Sequence, residues 1–381
     1  MKNNMLSKFN VQVADLNVSD LDHKLIITES EELNIVNNFF ESITSGNKEI
    51  ENLLYEIIGY SITETSILCK GFIFKGKGRN GKSKIFRILE HLLPEQSCSH
   101  EHLENLSGTK AGSKNTVKKL KYKCVNISED QKQPKYINTS LITRIISGET
   151  ITIGDEDIKP FCTMLFSVNE VIDFKETGLH ITDRILVIPF SQEFTDSNGN
   201  RDINIEDKLC QEKSLQIIAT KALEAFEKVL ERGQFSIPQV VIDETNKYFL
   251  ECNNVAEFCG LYPIETFITK SGYYQEYKNW CNYNNREAVN NAKFGKEVIA
   301  LGYRAERYSF KNDRKTYYSA PNFNNCDCQE VYDNYLNKCG ITRETASHYT
   351  DKELSKIYEN IPSFDYYLCD ELYKNEARDN K

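Results

Sequence analysis

Gly71-Phe72-Ile73-Phe74-Lys75-Gly76-Lys77-Gly78-Arg79-Asn80-Gly81-Lys82-Ser83-Lys84-Ile85-Phe86 is the stretch whose reading decides the fold. Residues 76–83 fit the pattern GxxxxGK[ST], with the strand-like run GFIFK before them and the helix-periodic run KIFRILEHLL after. A strand, a glycine-rich loop and a helix in that order turn a pattern match into a phosphate cradle. The residue types follow from the chemistry. Gly76, Gly78, Asn80 and Gly81 form a loop whose backbone N–H groups can turn inward on phosphate oxygens, and the helix N-terminus adds the positive end of its dipole. Lys82 then reaches the β and γ oxygens, and the Ser83 hydroxyl is a ligand for Mg²⁺, so ATP and Mg²⁺ are the expected cofactors.

Such a loop alone serves kinases, GTPases and motors alike, and the rest of the site has to choose between them. Lys123-Cys124-Val125-Asn126-Ile127-Ser128 is a strand-like run that delivers Glu129 and Asp130 at its end, about 46 residues beyond Ser83. Transfer of a phosphoryl group to water needs one carboxylate near the hydrated Mg²⁺ and another to orient the attacking water. An adjacent Glu-Asp pair meets both needs, whereas the plain alternative is a solvated acidic turn. A further run, Thr163-Met164-Leu165-Phe166-Ser167-Val168, delivers Asn169, a turn former by default and a sensor of the γ-phosphate in this context. Arg184 follows fifteen residues later, just before the strand-like Ile185–Phe190. It is either a surface ion-pair partner or a finger supplied to a neighbouring subunit's nucleotide.

Outward from that core, the short apolar runs alternate with polar or helical segments, which predicts an α/β sheet. Glu32 to Phe40 and Ile50 to Tyr60 repeat apolar residues at helical spacing and predict an N-terminal helical cap over residues 1–60. The core occupies 61–235, and its last helix runs over 207–232 to a C-cap at Gly233. Helical segments at 240–256 and 272–299 precede two strand-like runs, YRAERYSF and RKTYYSA, divided by the turn Lys311-Asn312-Asp313. Helices followed by a basic hairpin predict a winged-helix-like module over 236–322, and residues 323–381, with a helix near 350–360, form an acidic tail.

The chain has 381 residues, 40% of them hydrophobic and 27% charged, which suits one main core with smaller attachments. No apolar run approaches a membrane span and the N-terminus lacks the apolar stretch of a signal peptide, so a cytoplasmic protein is expected. The 12 cysteines make no CxxC pair and read as reduced thiols, many of them buried. A net charge of −9 weighs against a DNA-coating protein. The charge is unevenly spread: 261–320 hold ten Lys/Arg against six Asp/Glu, and 323–381 hold seven against twelve. Six lysines between Lys110 and Lys123 read first as a solvated face rather than a DNA contact.

KGKGRNGKS, VNISED, SGETITI leading to LFSVN, and DRILVIPF, in this order, resemble the superfamily 3 helicase domain of the poxvirus-primase-like family, also called the phage/plasmid primase C-terminal domain. The likeness spans about residues 45–235. It implies an AAA+-like P-loop ATPase that assembles as a hexameric ring, draws DNA through its centre and serves replication initiation of a phage, plasmid or mobile element. It assigns Lys82 and Ser83 to phosphate and Mg²⁺, Glu129 and Asp130 to water and metal, Asn169 to sensing, and Arg184 to the finger acting in trans. Residues 270–315 also resemble the family's winged-helix extension, which makes Arg304, Arg307, Arg314 and Lys315 candidate DNA contacts.

Two departures accompany the likeness. The hairpin that carries a DNA-gripping lysine in the family is short and acidic here, Ile153-Gly154-Asp155-Glu156-Asp157-Ile158-Lys159, with Lys159 its lone cation. Val171 and Ile172 stand where the family tends to place a proline after the sensor asparagine. A segment of 60 residues before the core is too short for a primase, so no primer synthesis is expected, and the acidic tail is the expected contact for a replication-protein partner. Two other readings remain at this level: a DNA-binding protein switched by ATP without unwinding, and a small-molecule kinase.

Overall fold

The structure, a computed structural model, describes residues 6–319 apart from 20, 108–109, 130–136, 138, 173, 175–178, 198, 200, 265–266, 285 and 311–312. The expected acidic tail and its helix near 350–360 lie outside the described residues. Chain contacts separate two compact units, one ending at Asn253 and one beginning at Asn254.

In the first unit α1 (Lys24–Ile27), α2 (Glu31–Ile43) and α3 (Lys48–Ser61) precede β1 (Gly71–Lys75) and α4 (Lys82–Leu92). β2 (Cys98–Ser99), α5 (Leu103–Ser107), α6 (Lys110–Lys119), β3 (Val125–Ser128) and α7 (Thr139–Ile146) follow. The small hairpin β4 (Ile151–Ile153) and β5 (Glu156–Ile158) leads to β6 (Thr163–Val168), α8 (Leu179–Thr182) and β7 (Ile185–Pro189). The unit ends with α9 (Ile205–Leu209), α10 (Glu212–Arg232) and α11 (Gln239–Cys252).

Five strands form one sheet in the order β2-β3-β6-β1-β7, and every pairing in it is parallel. Because β1 is flanked by β6 on one side and β7 on the other, the carboxyl ends of β1, β3 and β6 open on one edge, where ligands of such sheets bind. Alternation along each strand sends side chains to two cores. Phe72, Phe74, Ile127, Leu165 and Ile188 join a layer built with α2, α3, α4 and α10. Ile73, Met164, Phe166 and Val187 join the opposite layer with α7 and α11. Both faces are covered, as a parallel sheet requires.

Several local boundaries have simple causes. Ser30 caps α2 by accepting from Leu33 N, and Asn47 caps α3 by accepting from Glu49 N and Ile50 N. The expected single helix over 207–232 is interrupted, because Gln211 is extended (φ −65°, ψ 145°) and starts a new helix, while Gly233 closes it at φ 75° as expected. α3 and α10 meet at Gly59, where a Cβ would stand 2.3 Å from Ala222 O. The N-terminal stretch, polar in its sequence average, contributes Leu6, Val11, Val13 and Val18 to the core, with Asn17 donating to the carbonyls of His91 and Leu93.

Glu56 is the buried charge of this helical layer, 1% exposed, and it accepts from Arg232, Ser236 N and Asn52. Glu56→Ala leaves those donors without their acceptor and is expected to cost about 2–3 kcal/mol of stability. Urea denaturation of the two proteins measures it, and an unchanged midpoint would assign the network no weight. Eight cysteines are free among the described residues, six of them buried, and burial pushes the Cys124 thiol up to about 12.

The second unit contains α12 (Asn254–Leu261), β8 (Phe267–Thr269), α13 (Lys270–Tyr283), α14 (Asn291–Ala300), β9 (Arg304–Phe310) and β10 (Asp313–Ser319). Its sheet has the order β8-β10-β9, all antiparallel, so the expected hairpin gains a third strand that the sequence reading lacked. Phe258, Tyr273, Tyr277, Phe294 and Tyr318 make an aromatic core of their own. Among the described residues no helix is long and apolar enough to cross a membrane.

Candidate functional site

The loop between β1 and α4 turns by three positive φ angles, Gly78 at 104°, Arg79 at 49° and Gly81 at 87°. Successive backbones of that kind point N–H groups into one concavity. α4 is entered from Gly81, which has no side chain to cap it, so the helix N-terminus opens directly from the loop. Gly76 allows a close approach: a Cβ there would stand 2.1 Å from Asn80 Nδ2 and 2.5 Å from Phe190 O. Asn80, placed by sequence among the phosphate-binding residues, is 3% exposed and its amide donates to Phe190 O at 3.4 Å. Its side chain therefore fastens the loop to the segment after β7.

Lys82 is 3% exposed, and its Nζ donates to Gly76 O at 2.6 Å and to Asn169 Oδ1 at 3.4 Å. Ser83 Oγ donates to Glu129 Oε2 at 2.5 Å. Arg87, one turn further along α4, stands 3.7 Å from the other Glu129 oxygen. The parallel register explains the meeting, because Glu129 directly follows β3, Asn169 directly follows β6 and the loop directly follows β1. Asp130 lies outside the described residues. Among the described residues, no group of three or more His, Cys, Asp and Glu side chains is placed to hold a metal ion.

Arg184 lies elsewhere. Its carbonyl accepts from Gly71 N at the amino end of β1, and its Nε donates to Ser147 Oγ at 2.9 Å. The length of β1, five residues at roughly 3.3 Å each, separates it from the loop of its own chain. Lys70 donates to the neighbouring Asp183 carbonyl, and burial lowers the pKa of its amine. Lys159 is exposed just past the acidic hairpin, whose Glu156 is held by Lys118 and Lys121. Lys119 pairs with Glu101, so much of the lysine run is committed to ion pairs. On the second unit's hairpin Arg304 is exposed and pairs in register with Ser319, Arg307 with Thr316, Arg314 with Ser309, and Lys315 with Tyr308.

α11 supports the site in a way that no sequence motif signalled. Lys75, the last residue of β1, bonds to Glu244 at 2.8 Å, lies 3.7 Å from Glu251, and sits over the Tyr248 ring. Tyr248 Oη accepts from Ile172 N, three residues beyond Asn169. Thr245 Oγ1 accepts from Val187 N of β7 at 2.9 Å. The only sequence signal was helical spacing of Val241, Thr245, Tyr248 and Cys252, which says that a face is buried and not what it meets.

No protein-family model matches the chain. It is similar, at 23% identity over 311 residues, to a protein of Acanthamoeba polyphaga mimivirus carrying the name "Putative helicase". The match takes in 74% of this chain and 32% of that protein, so the chain spans about a third of its relative's length. Among solved structures, the apo NrS-1 C-terminal region aligns at 13% identity over 75% of each chain, with a TM-score of 0.43. A structure described as the active helicase Cch of SCCmec type IV aligns at 14% identity over 70% of this chain and 50% of that one, with a TM-score of 0.31. Neither structural likeness is close enough to carry an argument.

Proposed function

We propose that the chain is an ATP-dependent DNA helicase of the superfamily 3 type, acting in replication of a phage, plasmid or mobile element. The observation that carries the reading is the convergence of Lys82, Ser83, Glu129 and Asn169 on one sheet edge. The mimivirus relative's name supports it. The donor set suits a Mg²⁺-bound nucleoside triphosphate: a glycine-rich loop at a helix N-terminus, a buried lysine, a hydroxyl and a carboxylate. A bound Mg²⁺ would supply charge neutralisation at the phosphates, with Ser83 and Asp130 as the residues that would hold it. Lys82 would hold the phosphate chain, Glu129 would orient the attacking water and take its proton, and Asn169 would touch the γ-phosphate.

In this reading the core is an AAA+ module and residues 1–60 cap it. Of the expected module 236–322, α11 belongs with the first unit, and the residues from Asn254 act as a winged helix that contacts DNA through Arg304, Arg307, Arg314 and Lys315, while 323–381 bind a replication protein. The active form is a cytoplasmic homohexamer whose finger, Arg184, serves the next subunit.

Glu129→Gln keeps the shape of the site and removes its base. Nucleotide binding is expected to stay within about twofold while the hydrolysis rate falls by about a hundredfold or more. Filter binding and a phosphate-release assay separate the two, and equal loss in both would deny Glu129 this role. A second reading, a DNA-binding protein switched by ATP, is favoured by one observation: the hairpin that would grip DNA presents Asp155 and Asp157 beside Lys159. ATPase assays with and without single-stranded DNA, run beside fork unwinding, decide between them. Stimulated hydrolysis without strand separation selects the switch.

A further inference from the structure

Asn169 leaves β6 at a bend, and the described residues between it and α8 belong to no helix or strand, so something else must hold its amide near the phosphate loop. The backbone is fastened on both sides of it. Behind Asn169, Val168 O accepts from Gly76 N at 3.1 Å, which ties the end of β6 to the first glycine of the loop. Ahead of it, Ile172 is 3% exposed, and side chains of α11 take up both of its main-chain polar groups. Its N–H donates to Tyr248 Oη at 3.0 Å, and its carbonyl accepts from Cys252 Sγ at 3.1 Å. Tyr248 and Cys252 are four residues apart and share one face of the helix. Two side chains one turn apart thereby do for Ile172 what a neighbouring strand does for a residue inside β6.

Tyr248, which is fully buried, makes a second attachment. Its ring lies 5.5 Å from the Lys75 ammonium, and Lys75, the residue that enters the phosphate loop, is held to Glu244 at 2.8 Å. Phe174 packs against the rings of Tyr248 and Phe249, with centroids 6.5 and 5.7 Å away. A single buried side chain thus joins the residue before the loop to the residue three past Asn169.

Resting on the reading of Asn169 as the group that meets the γ-phosphate, we infer that Tyr248 is a positioning residue for hydrolysis. It sets where Asn169 stands relative to the loop, and Cys252 holds the same segment from the next turn. Phosphoryl transfer depends largely on positioning, and a displacement of about 1 Å in such a site costs roughly a hundredfold in rate. Affinity for the nucleotide rests on the loop, Lys82 and Ser83 in that reading, whereas Asn169 acts on the group being transferred. A shift of Asn169 therefore lowers the rate more than the affinity.

Tyr248→Phe keeps the ring against Lys75 and Phe174 and removes the oxygen that accepts from Ile172 N. With the full chain, Mg²⁺ and ATP, kcat is expected to fall about tenfold and KM to stay within about twofold. Cys252→Ala removes the donor to Ile172 O and is expected to lower kcat about threefold in the same manner. A merely structural tyrosine would lower the melting temperature and leave kcat of the folded protein as it was. The deciding measurement is a double-variant cycle. In an Asn169→Ala background, which leaves Tyr248 no amide to position, Tyr248→Phe is expected to lower kcat by less than about twofold further. An unchanged kcat in folded Tyr248→Phe, or effects of Tyr248→Phe and Asn169→Ala that simply multiply, overturns the assignment. If Tyr248→Phe does not fold, Cys252→Ala in the same cycle decides it by the same outcomes. Failure of the nucleotide-site reading looks different: Lys82→Ala and Asn169→Ala would then hydrolyse ATP at the wild-type rate, whatever Tyr248→Phe does.

Discussion

ATP hydrolysis by Lys82→Ala is expected to fall about a thousandfold, because the lysine neutralises charge that develops on the transferred phosphoryl group. Its position makes the loss hard to compensate. Lys82 is 3% exposed and held between Gly76 O and Asn169, so alanine removes a buried charge from the loop. The fold should survive, since the apolar residues of α4 that pack in the core, Ile85, Phe86 and Leu89, are untouched. A phosphate-release assay on protein with an unchanged melting curve measures the effect. Turnover near the wild-type rate would remove the nucleotide assignment altogether.

Arg184 carries the second large expectation. It stands at the amino end of β7, while the loop lies beyond the carboxyl end of β1, so it is on the wrong edge of the sheet to reach a nucleotide on its own chain. A role in hydrolysis thus requires a second copy. Arg184→Ala is expected to lower the catalytic rate about a thousandfold, with ATP affinity much less affected. Mixing Arg184→Ala with Lys82→Ala chains should restore part of the activity, because some junctions then pair an intact loop with an intact arginine. If mixtures that demonstrably co-assemble hydrolyse no faster than the separate variants, Arg184 acts within its own chain, where its Nε bonds Ser147 Oγ.

The readable parts of the site are those whose residues are close in sequence. Gly76 to Ser83 form a local loop, and the ends of β3 and β6 follow from apolar runs that stop at Glu129 and Asn169. What escaped is what the chain assembles over distance. Ile35 and Phe39 meet Phe194 and Ile203 across more than 150 residues of sequence, and Glu244 meets Lys75 across 169. Helical spacing marked a segment at 240–256 and the sequence reading grouped it with the later module, whereas α11 packs on the core sheet of the first unit. Helical spacing over 32–40 and 50–60 said nothing of the residues before them, where Leu6, Val11 and Val13, set among polar neighbours, enter the core. Asn80 shows a subtler limit: its backbone belongs to the loop, as the spacing implies, while its amide is spent on Phe190 O.

The bond from Val187 N to Thr245 Oγ1 has a consequence for how copies of this chain can join. β7 is an outer strand, and an outer strand with free N–H groups invites a strand from another molecule to add to it. Here α11 lies along that side and a threonine hydroxyl occupies the donor, itself anchored to Val241 O at 2.7 Å. The opposite margin, β2, is two residues long and too short to template an addition. The sheet is thus closed to growth at both margins. Copies that meet at this sheet would have to do so through side-chain surfaces, not by adding a strand to it.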